Sequence, residues 1–205
     1  MDFEIIKIAR DDATVRSYVE RYKAFRLLSL QTAPDMFGST YEREIAFSED
    51  TWLGRLSSPM ATTFLAIQEN RVIGTITTVG PLPFLPEEIA PTSNPWTALD
   101  GTNKKPLYSH FRVNGMFTLP DVRGRGVAKA LMRESIKQAI QDATDSETEY
   151  MSSIVVDADN PSAVGLYRKF GYHTIGEEPR SPGSARKALL MKYSPDEDAK
   201  ALLQT

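Results

Sequence analysis

The stretch DVRGRGVAKALM, Asp121–Met132, places two glycines among basic residues immediately before an apolar pattern of helical spacing. This arrangement has two interpretations. It is either a flexible, solvated turn before an ordinary amphipathic helix, or a site that binds an anion at the start of that helix. The stretch alone does not decide between them, because a short glycine pattern is weak evidence.

The physical case for an anion rests on the start of the helix. The first four backbone N–H groups of a helix have no partner within it, and the macrodipole adds about half a positive charge there. Glycines at positions Gly124 and Gly126 remove side chains that would hold a phosphate away, and Arg123, Arg125 and Lys129 add positive charge. One such effect contributes only about 0.3–1 kcal/mol at an exposed terminus, so several must act together to hold a ligand.

Two common phosphate motifs do not fit this sequence. A P-loop needs Lys followed by Ser or Thr after its last glycine, whereas Val127 and Ala128 follow Gly126. The dinucleotide fingerprint needs a small residue where Lys129 stands, and it follows the first strand of a chain rather than a late one. The motif therefore fits neither class.

Composition excludes several classes of function. With 24 Lys+Arg against 27 Asp+Glu, the net charge of -3 gives no reason to expect a general binder of nucleic acid or membrane surfaces. The sequence contains no cysteine, and His110 and His173 are too far apart for a metal-binding pair on one helix turn. The start is acidic where a secretory signal would be basic, and no apolar run approaches the ~20 residues of a membrane span. We expect a cytoplasmic protein without a metal, a nucleic-acid partner or a membrane contact.

Hydrophobic periodicity in the first half of the chain predicts a strand, helices and a hairpin. The strand begins at Phe3, the helix after it is capped at Thr14, and a second helix begins with the capping box STYE at Ser39 and Glu42. A further helical piece begins near Ser48. The strands TTFLAIQ and RVIGTITTV then form a hairpin.

The second half alternates strands with helices. The strand YSHFRVNGMFTL has a weak point at Asn114–Gly115, where we expect a bulge or a splay. After the helix of the opening motif come the buried strand SSIVVDAD, a helix capped by Asn160, and two closing strands. This order predicts an α/β protein with a mixed sheet. We expect one domain over residues 1–194, a tail over 195–205, and a proline-rich insertion over 80–106 that is either a functional lid or an irregular excursion.

Two motifs together resemble a known family. The motif RGRGVA, Arg123–Ala128, resembles the Arg/Gln-x-x-Gly-x-Gly/Ala signature of the GNAT superfamily of acetyl-CoA-dependent N-acetyltransferases. The segment NPSAVGLYRKFGY resembles a later segment of that family at Asn160, Ala163, Tyr167, Gly171 and Tyr172. The order and spacing of the two motifs also agree, and the resemblance covers residues 109–193. It implies a GNAT-like fold, with a central mixed sheet flanked by helices, and acetyl-CoA as cosubstrate.

The resemblance also implies roles for individual residues. The residues implied to hold the pyrophosphate of coenzyme A are Arg123, Gly124, Arg125, Gly126, Val127, Ala128 and Lys129. Amides at Met116, Phe117 and Thr118 bind the pantetheine and the acetyl carbonyl. Tyr167 contacts the cofactor and matches the general acid that protonates the leaving thiolate, and Asn160 lies in the same site. Both have structural alternatives, Tyr167 as a core aromatic and Asn160 as a helix cap.

The general base is left open by the sequence. An alkyl amine with a pKa near 10.4 is almost wholly protonated at pH 7, so its deprotonation is worth catalysing. His110, Glu42, Glu44 and water all remain candidates. We expect an N-acetyltransferase that transfers the acetyl group directly to a primary amine of a small molecule or peptide. The alternative is a non-catalytic acetyl-CoA sensor or interaction module on the same fold. The sequence fixes neither the acceptor, the range of acyl-CoAs used nor the oligomeric state.

Overall fold

The computed structural model describes residues 2–82, 108–180 and 183–204. Seven strands form one mixed sheet in the order β1-β2-β3-β4-β5-β7-β6. The strands are β1 (Glu4–Lys7), β2 (Ala61–Gln68), β3 (Arg71–Val79), β4 (Tyr108–Thr118), β5 (Glu149–Asp157), β6 (Tyr172–Pro179) and β7 (Lys187–Tyr193). The helices are α1 (Asp12–Thr32), α2 (Tyr41–Ile45), α3 (Glu49–Ser57), α4 (Val127–Asp145), α5 (Pro161–Lys169) and α6 (Glu197–Ala201). The predicted α/β class, a mixed sheet flanked by helices, is confirmed.

From residue 83 onward, the predicted insertion over 80–106 lies outside the described residues, and its role as a lid stays a prediction. The division into a domain over 1–194 and a tail over 195–205 also stays a prediction. Part of that tail forms the helix α6, which buries Ala199 and is capped by the Asp196 carboxylate.

The chain divides into two compact units. The first unit runs to Val79 and includes Asn114–Ser135, and the second consists of Gly80–Val113 and the residues from Ile136 onward. In the first unit β1 and β3 both pair antiparallel with β2. The β2–β3 turn has Glu69 and Asn70 at φ 49° and 64°, the left-handed geometry of a tight hairpin, and the predicted hairpin is confirmed.

The helices of the first unit pack through apolar positions that helical spacing predicts only in part, since Val15, Tyr22 and Phe25 of the spaced row are buried but Leu28 is exposed. The buried apolar residues of α1 are Val15, Val19, Tyr22, Phe25 and Leu30. Trp52 of α3 is fully buried, and its ring lies 6.2 Å from that of Tyr22 in an edge-to-face arrangement. Burying side chains of this size contributes about 1.5–3 kcal/mol each, which fixes α3 against α1.

Two predicted helix caps are wrong by a few residues. The cap of α1 is Asp11, whose carboxylate accepts a hydrogen bond from the Thr14 N–H at 2.9 Å, so that Thr14 already lies inside the helix. The cap of α2 is Thr40 and not Ser39, because the Thr40 hydroxyl accepts from the Arg43 N–H. All four residues are of types that favour turns or caps, and the choice among neighbours depends on where the backbone enters the helix.

A glycine in β3 allows the start of α4 to lie close to the sheet. A Cβ at Gly74 would lie 2.9 Å from Leu131 Cδ1, 3.1 Å from Thr118 Cγ2 and 3.2 Å from Val127 Cγ1. These distances are shorter than ordinary van der Waals contact, so only glycine fits without movement of its neighbours. Gly74 therefore helps to set the position of the first turn of α4 and of the end of β4.

In the second unit β4 runs parallel to β5 from Tyr108 to Val113, and β7 pairs antiparallel with both β5 and β6. Three consecutive residues of β5, Ser152–Ile154, are buried, as predicted for a strand covered on both faces. Gly171 ends α5 at φ 83°, and a Cβ there would lie 2.5 Å from the Pro195 Cα. Glycine at the end of α5 is thus required by both its backbone angle and its neighbour.

Candidate functional site

The loop before α4, residues 123–126, is called here the glycine loop. Gly124 and Gly126 adopt φ 77° and 85°, the left-handed region that glycine enters at least cost. A Cβ at either position would meet nothing within 4 Å, so both glycines face open space. The loop therefore uses glycine for its backbone angles and leaves room beside them for a ligand.

The helix after the glycine loop presents donors toward its own start. The Ala130 N–H donates to the Gly126 carbonyl at 2.9 Å, which is the first turn of the helical hydrogen-bond pattern. The N–H groups of Val127, Ala128 and Lys129 come before this bond and have no acceptor within the helix. The residue at the capping position is Gly126, which has no side chain to accept hydrogen bonds from these N–H groups. Such a helix start favours an anion.

Charged side chains reinforce this preference. Arg123, Arg125 and Lys129 are all exposed, and the first turn of α4 contains no acidic residue. The nearest acid along the chain, Asp121, is paired with Arg71 at 3.1 Å. The glycine loop thus combines backbone donors, the helix dipole and three cations, which is the combination expected for a diphosphate.

The end of β4 is separated from the glycine loop by Leu119 and a single turn of 3-10 helix, Pro120–Val122. The pairing with β5 ends at Val113, and the next two residues, Asn114 and Gly115, are exposed, with Gly115 at φ 59°. The predicted weak point at Asn114–Gly115 thus coincides with the end of this pairing. Phe117 is buried against Phe25, with ring centroids 6.0 Å apart, so its contribution to a ligand would come from its backbone. Met116 and Thr118, on either side of Phe117, are partly buried.

A cavity of about 550 Å³ lies within the first unit. Tyr22 and Arg26 of α1, Arg55 of α3, and Asn114 and Gly115 of β4 all line it. Its other walls are Thr51, Gly54, Ser58, Ala61, Thr75, Thr77 and Val79. A volume of this size suits a small molecule or the end of a peptide.

A buried carboxylate organises the two arginines of this cavity. Glu44 of α2 is fully buried and accepts hydrogen bonds from Arg26 Nε and Nη2 at 3.0 and 2.7 Å and from Arg55 Nη1 at 2.8 Å. Burial would raise the pKa of Glu44, but the hydrogen bonds and charges of the two arginines outweigh it and lower the pKa to about 2. Glu44 is therefore a permanent anion that does not take up a proton near pH 7.

The sequence does not predict this cluster. Glu44 is separated from Arg26 by 18 residues and from Arg55 by 11, so no helical spacing links them. The local signal around Glu44 suggests only an exposed or capping glutamate, and the burial of its side chain arises from the packing of α1, α2 and α3. Glu42, the other acidic candidate on α2, is exposed.

Two further sequence-predicted residues, Asn160 and Tyr167, lie at the start of α5 and within it, in the second unit. The Asn160 side chain accepts from the Ala163 N–H at 3.1 Å, which confirms its predicted role as a helix cap. Tyr167 lies two turns later on α5, is buried, and contacts the ring of Tyr172 edge-to-face at 6.2 Å. Burial raises the pKa of Tyr167 to about 12, so its hydroxyl is protonated and able to donate.

His110 does not have the properties of a general base. Its side chain is fully buried in β4, and its Nε2 lies 2.8 Å from the Ser153 hydroxyl. Burial, assisted by the charge of Arg112, lowers the pKa of His110 to about 3. A group with so low a pKa is a poor acceptor for the proton of an ammonium group.

Comparison with known proteins identifies a family. A model of the acetyltransferase (GNAT) family matches residues 24–172, a range that includes both the glycine loop and the Asn160–Tyr172 segment. No curated protein sequence matches the chain. Within the described residues, no α-helix has both the length and the apolar character that crossing a membrane requires.

Solved structures with the same fold differ widely in sequence. NAA60 of Arabidopsis thaliana in complex with acetyl-CoA has a TM-score of 0.62 at 16% identity, covering 94% of this chain and 98% of that one. Naa50 of the same plant, in complex with the bisubstrate analogue CoA-Ac-MVNAL, has a TM-score of 0.59 at 12% identity, covering 95% and 100%. An aminoglycoside 6'-acetyltransferase type Ii has a TM-score of 0.59 at 13% identity, covering 95% and 100%. At these identities the likeness is one of fold.

Proposed function

Because the chain belongs to the acetyltransferase (GNAT) family, we propose that it transfers an acetyl group from acetyl-CoA to a primary amine of a small molecule or peptide. The observation that supports this most is the glycine loop, with two left-handed glycines facing open space at a helix start surrounded by cations. The transfer is direct, within a ternary complex, since the sequence has no cysteine to form a thioester with the acyl group.

In this proposal the glycine loop and the first turn of α4 hold the pyrophosphate of acetyl-CoA. The N–H groups of Val127, Ala128 and Lys129 donate to the phosphate oxygens, and Arg123 and Arg125 offset their charge. Hydrogen bonds to a charged group contribute about 1.5–3 kcal/mol each, so a few of them suffice to fix the ligand. Acetyl-CoA itself supplies an acyl group already activated as a thioester.

The backbone after Gly115 then holds the reacting end of the cosubstrate. Amides at Met116, Phe117 and Thr118 donate to the pantetheine and to the acetyl carbonyl. A donor aimed at that oxygen stabilises the negative charge that develops as the amine attacks, which is oxyanion-type catalysis. The burial of the Phe117 side chain supports this role, because it holds the backbone of the segment in place.

Tyr167 is proposed as the group that protonates the leaving thiolate. A thiol has a reference pKa of ~8.5, so full proton transfer from a phenol with a pKa of about 12 costs about 5 kcal/mol unless the thiol is deprived of water as well. We therefore expect Tyr167 to donate a hydrogen bond to the sulfur as charge develops and to release its proton late. Asn160 supports this site by capping α5, the helix that carries Tyr167.

For the proton that leaves the amine, we propose water as the acceptor. Glu44 has a pKa of about 2 and is bound by two guanidinium groups, and His110 has a pKa of about 3 in a buried strand. Neither competes for a proton with an amine. The same facts favour the second candidate function, an acetyl-CoA-binding module that senses the ligand without turnover.

One experiment separates the two candidates. The purified protein is incubated with acetyl-CoA and a panel of amines that includes amino acids, peptides and polyamines, and thiol release is measured together with the mass of the acceptor. A gain of 42 Da, the mass of an added acetyl group, on any amine at a rate above the uncatalysed reaction supports the enzyme. Tight binding of acetyl-CoA without transfer to any amine supports the module.

A further inference from the structure

The charges around the cavity of the first unit point to the chemistry of the acceptor. Among the described residues that line it, two are cationic, Arg26 and Arg55, and none is acidic. The carboxylate that pairs with them, Glu44, is not a lining residue, and only 1% of its side chain is exposed. Two guanidinium groups and one carboxylate leave one excess positive charge at the wall of the cavity.

The two arginines are held in fixed positions. Arg55 lies over the rings of Phe47 and Trp52, with its Cζ 4.8 and 5.0 Å from their centroids, and Arg26 lies 4.5 Å from the centroid of Phe37. Together with the bonds to Glu44, these contacts orient both guanidinium planes before any ligand arrives. A guanidinium that is already ordered loses little entropy when it binds an anion.

Arg55 is the arginine more accessible to a ligand. Its side chain is 32% exposed and makes one hydrogen bond to Glu44, whereas that of Arg26 is 12% exposed and makes two. A guanidinium has five N–H donors, so the bond to Glu44 leaves Arg55 the larger capacity to bind an anion. Tyr22 lies beside it with a pKa raised by burial, so its phenol is neutral and adds a donor to the same wall.

The cavity lies at the acyl end of the proposed cosubstrate site. Its lining includes Asn114 and Gly115, immediately before the segment Met116–Thr118 that we propose to hold the acetyl group, and it includes no residue of the glycine loop. An amine that attacks the acetyl carbon would therefore occupy this cavity. This step rests on the proposed function.

We infer that the acceptor is an amine that also carries a carboxylate, and that Arg55, with Arg26 beside it, binds that carboxylate. A dication such as a polyamine would be repelled by the excess positive charge, and the cost of removing water from its second ammonium group would not be offset by an anionic partner. A carboxylate instead receives charge-assisted hydrogen bonds from a planar donor that matches its geometry. The carboxylate belongs either to a free amino acid or to an acidic side chain near the start of a peptide.

Matched pairs of acceptors test this inference. Free amino acids are compared with their carboxamides, and peptides with Asp or Glu at the second position are compared with the same peptides containing Asn or Gln. We expect kcat/KM to be roughly ten- to hundredfold higher for the acidic member of the preferred pair, corresponding to one or two charge-assisted hydrogen bonds. Preference in the first pair identifies a free amino acid, and preference in the second a peptide.

Variants then assign the preference to Arg55. Arg55→Gln should lower the preference for the acidic member to near one, chiefly through KM, and Arg55→Lys should keep part of it. Glu44→Gln raises the local charge by one unit and should increase the preference. The control is Arg16→Gln on α1, an exposed arginine that is paired with Asp12 and does not line the cavity, and it should leave the preference unchanged.

The outcomes for the acceptor and for catalysis are distinct. Equal kcat/KM for both members of every pair, or a preference that survives Arg55→Gln, would overturn the inference while leaving the transferase intact. If no amine is acetylated, the proposed function fails. Calorimetric binding of the same acceptor pairs to the protein saturated with acetyl-CoA then tests the carboxylate site without turnover, with the same expected effect of Arg55→Gln.

Discussion

Replacing Gly126 by alanine tests where the pyrophosphate binds. A methyl group at this position would meet no protein atom within 4 Å, so it projects into the open space in which we propose that the phosphates lie. The substitution also forces an L-residue to φ 85°, and that strain costs roughly 1–2 kcal/mol of folding stability. The two effects must be separated before any loss of binding is interpreted.

Gly183 provides the matched control. It has φ 77°, it is exposed, and a Cβ there would also meet nothing within 4 Å. Gly183→Ala should therefore cost about the same stability as Gly126→Ala. The two variants differ in that only Gly126 precedes the first turn of α4, so only Gly126→Ala is expected to affect acetyl-CoA.

The expected loss follows from the hydrogen bonds displaced. Moving the diphosphate away from one or two charged hydrogen bonds raises the Kd for acetyl-CoA roughly tenfold to several-hundredfold. Isothermal titration calorimetry measures this Kd, and denaturation in urea measures the stability of each variant. A pantetheine thioester, which lacks the diphosphate, should bind both variants and the natural protein equally. If Gly126→Ala binds acetyl-CoA within twofold of the natural protein, or if Gly183→Ala loses as much affinity, the glycine loop does not hold the pyrophosphate.

Three further changes test the rest of the site. Tyr167→Phe should lower kcat by a factor of roughly 10²–10⁴ with little change in the Kd for acetyl-CoA, and an unaltered rate would remove Tyr167 from the acid role. The pKa of Glu44 is lowered from 4.5 to about 2 on folding, so its ionised form stabilises the protein above pH 4.5 by about 3 kcal/mol, and this contribution is lost as the pH falls from 4.5 toward 2. Glu44→Gln should be less stable at pH 7 and should lose less stability over that acid range, and parallel pH-dependence of both proteins in urea denaturation would contradict the lowered pKa. Gly74→Ala should cost about 1–3 kcal/mol of stability and weaken acetyl-CoA binding, since Val127 and Thr118 must move. An unchanged Kd for acetyl-CoA would show that Gly74 does not help to position the binding site.

Local sequence patterns predicted the parts of the protein that depend on local chemistry. The hairpin at Asn70, the cap at Asn160 and the glycine-rich start of α4 all follow from the backbone preferences of one to four neighbouring residues. For α1 and α2 the pattern predicts a cap within three residues of the observed one, but not the right residue. At those helices several adjacent residues can act as a cap, and tertiary packing decides which of them does.

The acceptor side of the site could not be predicted in this way. The contact between Glu44 and its two arginines joins three helices, and it lowers the pKa of Glu44 although burial alone would raise it. The environment of His110 could not be predicted either, since its position in a strand was evident but its burial against Ser153 was not. The two arginines keep Glu44 ionised and burial keeps His110 neutral, so both candidate bases hold a fixed charge state near pH 7.

The arginine cluster has a consequence for catalysis without a dedicated base. The carboxylate of an amino acid favours the protonated form of its own amine, because the two charges attract. When Arg55 and Arg26 bind that carboxylate, their charge cancels the attraction, and one unit charge at ~8 Å in an effective dielectric of ~20 is worth about 2 kcal/mol, or about 1.5 units of amine pKa. The free amine at pH 7 costs about 4.6 kcal/mol to form from an alkylammonium group with a pKa of ~10.4. Binding of the carboxylate would thus lower the pKa of the amine and provide a substantial part of the free energy of deprotonation. Water would then accept a proton from a more acidic ammonium group, without help from Glu44 or His110.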